Sequence, residues 1–453
     1  MPARVGLTAR KRGPRGWHRC ETIDARHWHG EMDMGQRVTR RRPRRLGVAV
    51  ALAGLLTIAA CGPGKSSPAT KVRTPTPAAS TPAAPTAAIS FPADGATDVP
   101  TSAEIAFRTE NARSATVTLA DATGAPVEGA ARPDNSAWMP NAQLKYSTRY
   151  TAKVSATGAS GNETSKTVTF TTMDRPDNLI SVRSQLGDDL VYGVGMPVVV
   201  NFGDDIPADQ RANVEKRLFV ASEPAQEGAW NWFNGHEVHF RPREYWQAGT
   251  KLSIRLATGG LPFGGGAYGA TDVTVRTSIG DKFVMTVDNA TKTMSVTRND
   301  QEIKTMPVSL GKPSAPSSSG NMIVMVKNEW EWFDSSTYGV PVDSQDGYRT
   351  KVSWPQRLTW GGQYIHAAPW SVGDQGRRNV SHGCTNISME NAEWLWHQTH
   401  VGDPVIVKGT ERGLDWGDGW TDWNVPWEEY LKGSALPRPA SPSTSPAGQP
   451  SPS

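Results

Sequence analysis

Short runs of alternating apolar and polar residues, separated by Gly, Pro, Asn, Asp and Ser, set the pattern from Ile89 to Met173. Thr116-Val117-Thr118-Leu119, Tyr150-Thr151-Ala152-Lys153-Val154 and Val168-Thr169-Phe170-Thr171 change side at nearly every step, the period of strands with one buried face. Regular short strands with frequent turns predict a small β-sandwich. Residues 178 to about 278 repeat the arrangement with Val198–Phe202, Val238–Phe240 and Leu252–Leu256. Trp138-Met139-Pro140 precedes Tyr150 by the spacing with which Phe240-Arg241-Pro242 precedes Leu252, which predicts duplicated immunoglobulin-like modules. A third region, Asp281 to about Lys408, opens with Phe283–Val287, a turn at Asp288–Thr291 and Thr293–Val296, the pattern of a hairpin. Its one clear helix is predicted over Glu390–His400, with Ser388 as N-cap. The fold class is mainly β: two immunoglobulin-like sandwiches, then a β-rich domain with a minor helix.

The N-terminus changes the picture of where the chain works. Arg40-Arg41-Arg42-Pro43-Arg44-Arg45 is followed by an apolar run, Leu46 to Ala60, and then Cys61-Gly62, the layout of an export signal. At fifteen residues this run falls short of the roughly 20 that span a bilayer. Ile58-Ala59-Ala60-Cys61 resembles the lipobox of bacterial lipoproteins, which implies a diacylated Cys61 and a lipid anchor on the outer face of the cytoplasmic membrane. An ordinary secretory signal is the alternative, and the paired arginines leave the twin-arginine route open. Residues 1–33 are long for a signal's basic region, so translation from Met32 or Met34 is an open reading. The organisation expected is a leader over 1–61, a Pro/Ala/Thr-rich tether over 62–88 and modules over 89–173 and 174–279. A third domain over 280–408, an extension over 409–437 and a second low-complexity tail over 438–453 complete it.

Charge and cysteine count narrow the chemistry. The formal net charge is +4, but residues 1–60 carry thirteen Lys+Arg against four Asp+Glu; the rest holds 35 basic and 40 acidic residues. A remainder of −5 argues against nucleic acid as a partner. Of the three cysteines, Cys20 lies in the leader and Cys61 is the lipid site that the lipobox resemblance implies, so Cys384 is the one thiol left. An unpaired cysteine outside the cytoplasm is a candidate reactive thiol, with simple packing as the bland alternative.

Thiol catalysis needs a thiolate, a base and donors aimed at the developing oxyanion. His366 lies eighteen residues before Cys384, far enough to sit on a separate strand. His382 is a near neighbour able to orient the loop, and Gly383 permits a tight turn that points the Gly383 and Cys384 amides at one oxygen. Spacing alone leaves a packed cysteine beside a surface histidine equally open. The longer pattern is more specific: His366, fourteen residues, then Ser381-His382-Gly383-Cys384-Thr385-Asn386 resembles the signature of the YkuD-type L,D-transpeptidases. Asp334–Pro341, Gly347–Thr350, Ala368–Gly373 and Asp422–Trp427 extend the likeness to the actinobacterial branch, which carries two immunoglobulin-like modules and a short C-terminal extension.

That resemblance implies an enzyme in which Cys384 attacks a diaminopimelate carbonyl of a peptidoglycan tetrapeptide stem, expels D-alanine and leaves a thioester. His366 would be base and then acid, and the amides of His382, Gly383 and Cys384 the oxyanion hole. The amine of a second stem would resolve the thioester into a 3→3 cross-link. Tyr338 and Tyr348 would belong to a lid and, with Gly361, Gly362, Ser381 and Asn386, line the substrate pocket. Carbapenems are the inhibitors implied, and no cofactor is expected. Two departures stand out: Ala367 replaces the serine of close relatives, and the loop Leu261–Gly269 has no carboxylate, so no calcium is expected there. His397 and His400 are read as a surface pair and not a metal site. Trp416, Trp420, Trp423 and Trp427 are read as packing against the catalytic domain, with glycan stacking the alternative. Other functions weighed are an L,D-carboxypeptidase, in which water resolves the thioester, and a non-catalytic wall spacer. Sortase-like enzymes lack His-Gly-Cys, and papain-like enzymes place Cys before His.

Overall fold

The computed structural model describes residues 83–132, 135–345 and 347–437. The leader with Cys61, the tether up to residue 82 and the tail 438–453 lie outside the described residues. No described helix is long and apolar enough to cross a membrane.

The first sandwich sets a sheet ordered Thr86–Phe91, Ile105–Glu110, Ala137–Pro140, Gly129–Ala131 on one ordered Ala96–Val99, Glu163–Thr172, Arg149–Gly158, Ala112–Asp121, Pro126–Val127. Alternation is the cause: strand Arg149–Gly158 buries Tyr150, Ala152, Val154 and Ala156 in succession, and the first three meet Ile105, Trp138 and Phe170 in one cluster. The second sandwich is built likewise around Val198–Phe202, Glu237–Pro242 and Lys251–Leu256. Here Val198, Val199 and Val200 are all fully buried, which a one-sided sheet does not allow.

The reason lies in the C-terminal extension, which covers the second face of that sheet. Trp423 donates from its indole to the Gly195 carbonyl at 2.6 Å, Asn231 donates to the Tyr430 carbonyl at 2.7 Å, and Arg241 donates to the Val425 carbonyl at 2.9 Å. The same segment also meets the third domain, where Asn321 donates to the Trp423 carbonyl at 3.0 Å and Gly361 N–H to Asp418 at 2.5 Å. Packing is therefore the role of Trp420, Trp423 and Trp427, and the expected partner, the third domain, is joined by the second sandwich. The extension bridges the second sandwich and the third domain, and Trp420, Ile323 and Met325 join the sandwich's own core. Trp416 is half exposed and leans on Phe233, the rings tilted at 33° with centroids 4.2 Å apart.

At the centre of this joint is a buried ion cluster. His239 Nδ1 lies 3.0 Å from both Asp422 carboxylate oxygens, and its Nε2 lies 2.8 Å from Glu237. Burial alone lowers its pKa, but the two carboxylates outweigh burial and raise it to about 9, so His239 is a cation at neutral pH. The Tyr430 hydroxyl sits 3.0 Å from the His239 carbonyl and 3.1 Å from Asp422. Removing one partner of a buried pair strands the other charge, which costs about 3–5 kcal/mol. Asp422→Ala is therefore expected to lower unfolding free energy in urea by about that much, and a loss under about 1 kcal/mol would show that the pair contributes little.

The third domain has a sheet ordered Gln301–Pro307, Thr293–Arg298, Phe283–Asp288, Pro404–Lys408, Ser318–Ile323, Arg412–Gly413. A second sheet is ordered Val326–Lys327, Gln356–Arg357, Tyr364–Ala367, Thr385–Ile387, and a separate hairpin pairs Trp330–Asp334 with Arg349–Ser353. The helix Met389–Gln398 starts as expected, with Ser388 Oγ accepting from Asn391 N–H. It stops two residues short of the expected end because Thr399 turns extended and its hydroxyl is held by Gln356 at 2.7 Å. His400 thus leaves the helical face of His397, whose ring rests on Trp354 and Trp396. No cluster of metal-ligating side chains occurs among the described residues.

Candidate active site

Parallel pairing of two short strands brings the eighteen-residue separation to neighbouring positions. Ile365 pairs with Thr385, His366 with Asn386 and Ala367 with Ile387. Because side chains alternate along each strand, Cys384 and Asn386 share the face of His366. Strand Tyr364–Ala367 is buried throughout, so this face is a desolvated one.

His366 Nδ1 lies 2.9 Å from the Ala367 carbonyl. A carbonyl only accepts, so Nδ1 carries the proton and Nε2 keeps its lone pair. Ala367 is no handicap at this position, since the contact uses its backbone. Burial lowers the His366 pKa to about 4, against a weaker upward pull from the Ala367 carbonyl. The same burial pushes the Cys384 thiol up to about 12, offset in part by the Tyr364 backbone. Both groups are neutral at rest, and the Cys384 thiol faces the Gly362 carbonyl at 3.7 Å.

The loop ahead of the cysteine is held by its own polar groups. Ser381 Oγ donates to the Cys384 carbonyl at 2.7 Å and accepts the Gly383 N–H at 3.1 Å, while Ser317 Oγ donates to the Gly383 carbonyl at 2.7 Å. The Ser381 hydroxyl expected to bind substrate is thus engaged inside the loop, and the Gly383 amide is turned onto it. Gly383 has φ +124, outside the range side chains favour, although a Cβ there would meet only Gln363 at 3.8 Å. Backbone conformation and not space requires glycine, at a cost of about 1–3 kcal/mol for another residue. Gly383→Ala is expected to slow thiol acylation at least tenfold and to lower the unfolding free energy by no more than about 1–3 kcal/mol; unchanged acylation would refute a role for the turn.

A cleft of about 240 Å³ opens onto this face, lined by His366, His382, Cys384, Asn386, Tyr348 and Ser381 among the expected residues. The sequence missed Phe333, Thr350, Val352, Trp370 and Val380, which complete it. Phe333 lies edge-on to His366 at 5.2 Å and Trp370 stands 6.0 Å from it. These side chains carry no motif chemistry, and only the hairpin's fold over the cleft brings most of them in. His382 is exposed, accepts from Lys312 Nζ at 2.9 Å and lies 5.5 Å from the Tyr348 ring. Asn386 Nδ2 donates to Ser371 at 3.1 Å, whereas its buried Oδ1 has no partner among the described residues. Tyr338 ends the 3-10 turn Ser335–Tyr338 beyond the hairpin strand. Gly361 falls outside the cleft lining, its amide bound by Asp418, and Gly362, at φ +90, contributes its carbonyl to the thiol. A larger hollow of about 440 Å³ on the second sandwich, bordered by Asp189, Glu223, Lys251 and Arg276, holds neither a thiol nor an imidazole.

A desolvated thiol beside an imidazole of defined tautomer, under an aromatic roof, is equipped for acyl transfer. Comparison with known proteins gives the family. Residues 282–407 match the L,D-transpeptidase catalytic domain, and residues 96–262, across both sandwiches, match a bacterial Ig domain. The chain is 40% identical over 343 residues to L,D-transpeptidase 2 of Mycobacterium tuberculosis (strain CDC 1551 / Oshkosh), covering 76% of this chain and 83% of that protein. With L,D-transpeptidase 5 of Mycobacterium tuberculosis (strain ATCC 25618 / H37Rv) it shares 36% over 357 residues, 77% of each chain. Among solved structures, L,D-transpeptidase 3 of Mycobacterium tuberculosis with a faropenem-derived adduct is 31% identical, with a TM-score of 0.43 over 51% of this chain and 98% of that one. The chain belongs to the L,D-transpeptidase family.

Proposed function

We propose that this L,D-transpeptidase cross-links peptidoglycan stems, 3→3, through a thioester on Cys384. The observation that carries the reading is the His366 tautomer: with Nδ1 committed to the Ala367 carbonyl, Nε2 is the basic atom in the cleft that holds Cys384. As Sγ bonds to the diaminopimelate carbonyl carbon of a donor stem, its proton passes to His366 Nε2. Collapse of the tetrahedral intermediate breaks the bond to D-alanine, whose nitrogen takes that proton. The amine of an acceptor stem then attacks the thioester, gives a proton to His366 and releases the cross-linked product as Sγ is reprotonated. The amides of His382 and Cys384 meet the oxyanion first, and the Gly383 amide joins once it gives up Ser381. Asn386 Oδ1, buried and unpartnered, accepts a substrate N–H, and Tyr348 with the hairpin closes over the stem. No cofactor takes part.

Mass spectrometry of purified protein with disaccharide-tetrapeptide tests the reaction. Loss of D-alanine with a 3→3 dimer is the expected result, whereas tripeptide alone would assign an L,D-carboxypeptidase. A carbapenem is expected to add its mass to Cys384. The reading also anchors the protein by a lipid on Cys61 outside the cytoplasmic membrane, supported by the basic, apolar and Ile58–Cys61 pattern. Cys61→Ser is then expected to move the protein from the membrane to the soluble fraction, and an unchanged distribution would reject the anchor.

A further inference from the structure

The hairpin over the cleft has two faces of opposite character. Strand alternation sends Phe333, Thr350 and Val352 inward to line the cleft. The outward positions are Trp330, Trp332 and Asp334 on one strand and Arg349, Lys351 and Ser353 on the other. Both tryptophans are 52% exposed. Large aromatics in a single exposed row are unusual on a surface that has nothing to bind.

Each indole is braced by a cation that reaches diagonally across the register. Lys351 pairs with Trp332 yet stands 4.2 Å from the Trp330 ring centroid, and Arg349 pairs with Asp334 yet stands 5.3 Å from that of Trp332. A cation on one face holds the ring still and leaves the other face to solvent. The two rings belong to residues i and i+2 of one strand, hence about 6.6 Å apart along it, a separation on the scale of one hexose unit. Lys351 has no carboxylate at ion-pair distance among the described residues, and Arg349 lies 3.7 Å from Asp334. Two cations among flat rings complement a carbohydrate polymer that carries carboxylates.

We propose that the outer face of this hairpin, Trp330 and Trp332 with Lys351 and Arg349, is a stacking platform for the glycan strand from which the stem peptides hang. The inference rests on the proposed peptidoglycan reaction. A stem held under the hairpin by Phe333, Thr350 and Val352 leads back to a sugar chain passing within reach of its outer side. Sugar C–H faces lie on the indoles, and the free carboxylates of neighbouring stems meet Lys351 and Arg349. The platform would make long, glycan-borne donors better substrates than free stem peptides.

Titration with glycan chains stripped of their stems by an amidase tests it, because binding of such chains needs no reaction at Cys384. Wild type is expected to bind, Trp330→Ala/Trp332→Ala to bind at least tenfold more weakly, and Trp330→Phe/Trp332→Phe within about threefold of wild type. Carbapenem acylation of Cys384 is expected to stay within about twofold in all three, which shows that the fold and the cleft are intact. No binding by wild type, or equal binding by the alanine variant, overturns the platform. So does loss of binding to anionic phospholipid vesicles with glycan binding unchanged, which would make the face a membrane contact. Failure of the cross-linking reading appears separately, as absence of the 3→3 dimer with glycan binding retained.

Discussion

Cys384→Ala is expected to abolish carbapenem acylation and to leave cross-linking about ten-thousandfold or more below wild type. The size follows from the site. A covalent route loses its only nucleophile, and the cleft offers no second thiol because Cys384 is the free cysteine of the described residues. The change removes one sulfur from a position 9% exposed, so folding should survive and an unfolding titration serves as the control. Cys384→Ser is the sharper variant: it keeps the shape but puts a harder, less acidic nucleophile in a desolvated place, and is expected to be nearly as inactive. Full turnover in either variant would sink the assignment of the nucleophile.

His366→Gln is expected to slow acylation by about 10²–10⁴-fold, the range that a positioned general base contributes. The pH profile separates loss of a base from mere disturbance. In wild type the thiol is pushed up to about 12 and the imidazole down to about 4. Acylation should therefore rise as pH passes about 4 and run flat through neutral pH, because the proton moves within the neutral pair. Without the imidazole the thiol must ionise alone, and the rate should climb about tenfold per pH unit across neutral and alkaline pH. A flat profile in the variant would remove His366 from the role. Stability gives an independent reading. The His366 pKa is depressed in the folded state, so the unfolded chain binds more protons between about 4 and 6.5. The contribution is complete above 6.5 and is lost as pH falls toward 4, on the order of 3 kcal/mol for a fully buried group. His366→Gln should flatten that acid limb.

Much of this site was legible in the chain. The motif from His366 to Asn386 named the thiol, the base and the turn glycine, because each must be one residue type for a chemical reason. Ser381 shows the limit of such reading. Its place in the motif suggested substrate contact, whereas its hydroxyl bridges the Cys384 carbonyl and the Gly383 amide. Gly361 is similar: it belongs to the neighbourhood of the cleft but is spent on Asp418 from the extension. Neither a hydrogen bond within a loop nor one to a distant segment leaves a trace in residue spacing, so these two roles are not separable from sequence.

The sequence by itself determined the strands of the sandwiches, the start of the helix and the identity of the thiol–imidazole pair. Those are written in windows of a few residues, as period-two burial, a capping side chain or a motif. Only the tertiary structure decided that Thr385–Ile387 runs parallel beside Ile365–Ala367, that Phe333 and Trp370 flank the imidazole, and that the extension clamps the second sandwich through His239 and Asp422. These depend on which distant segments share a face and on how far water is excluded between them. That exclusion also holds His366 and Cys384 uncharged, a property neither residue has from its neighbours in the chain.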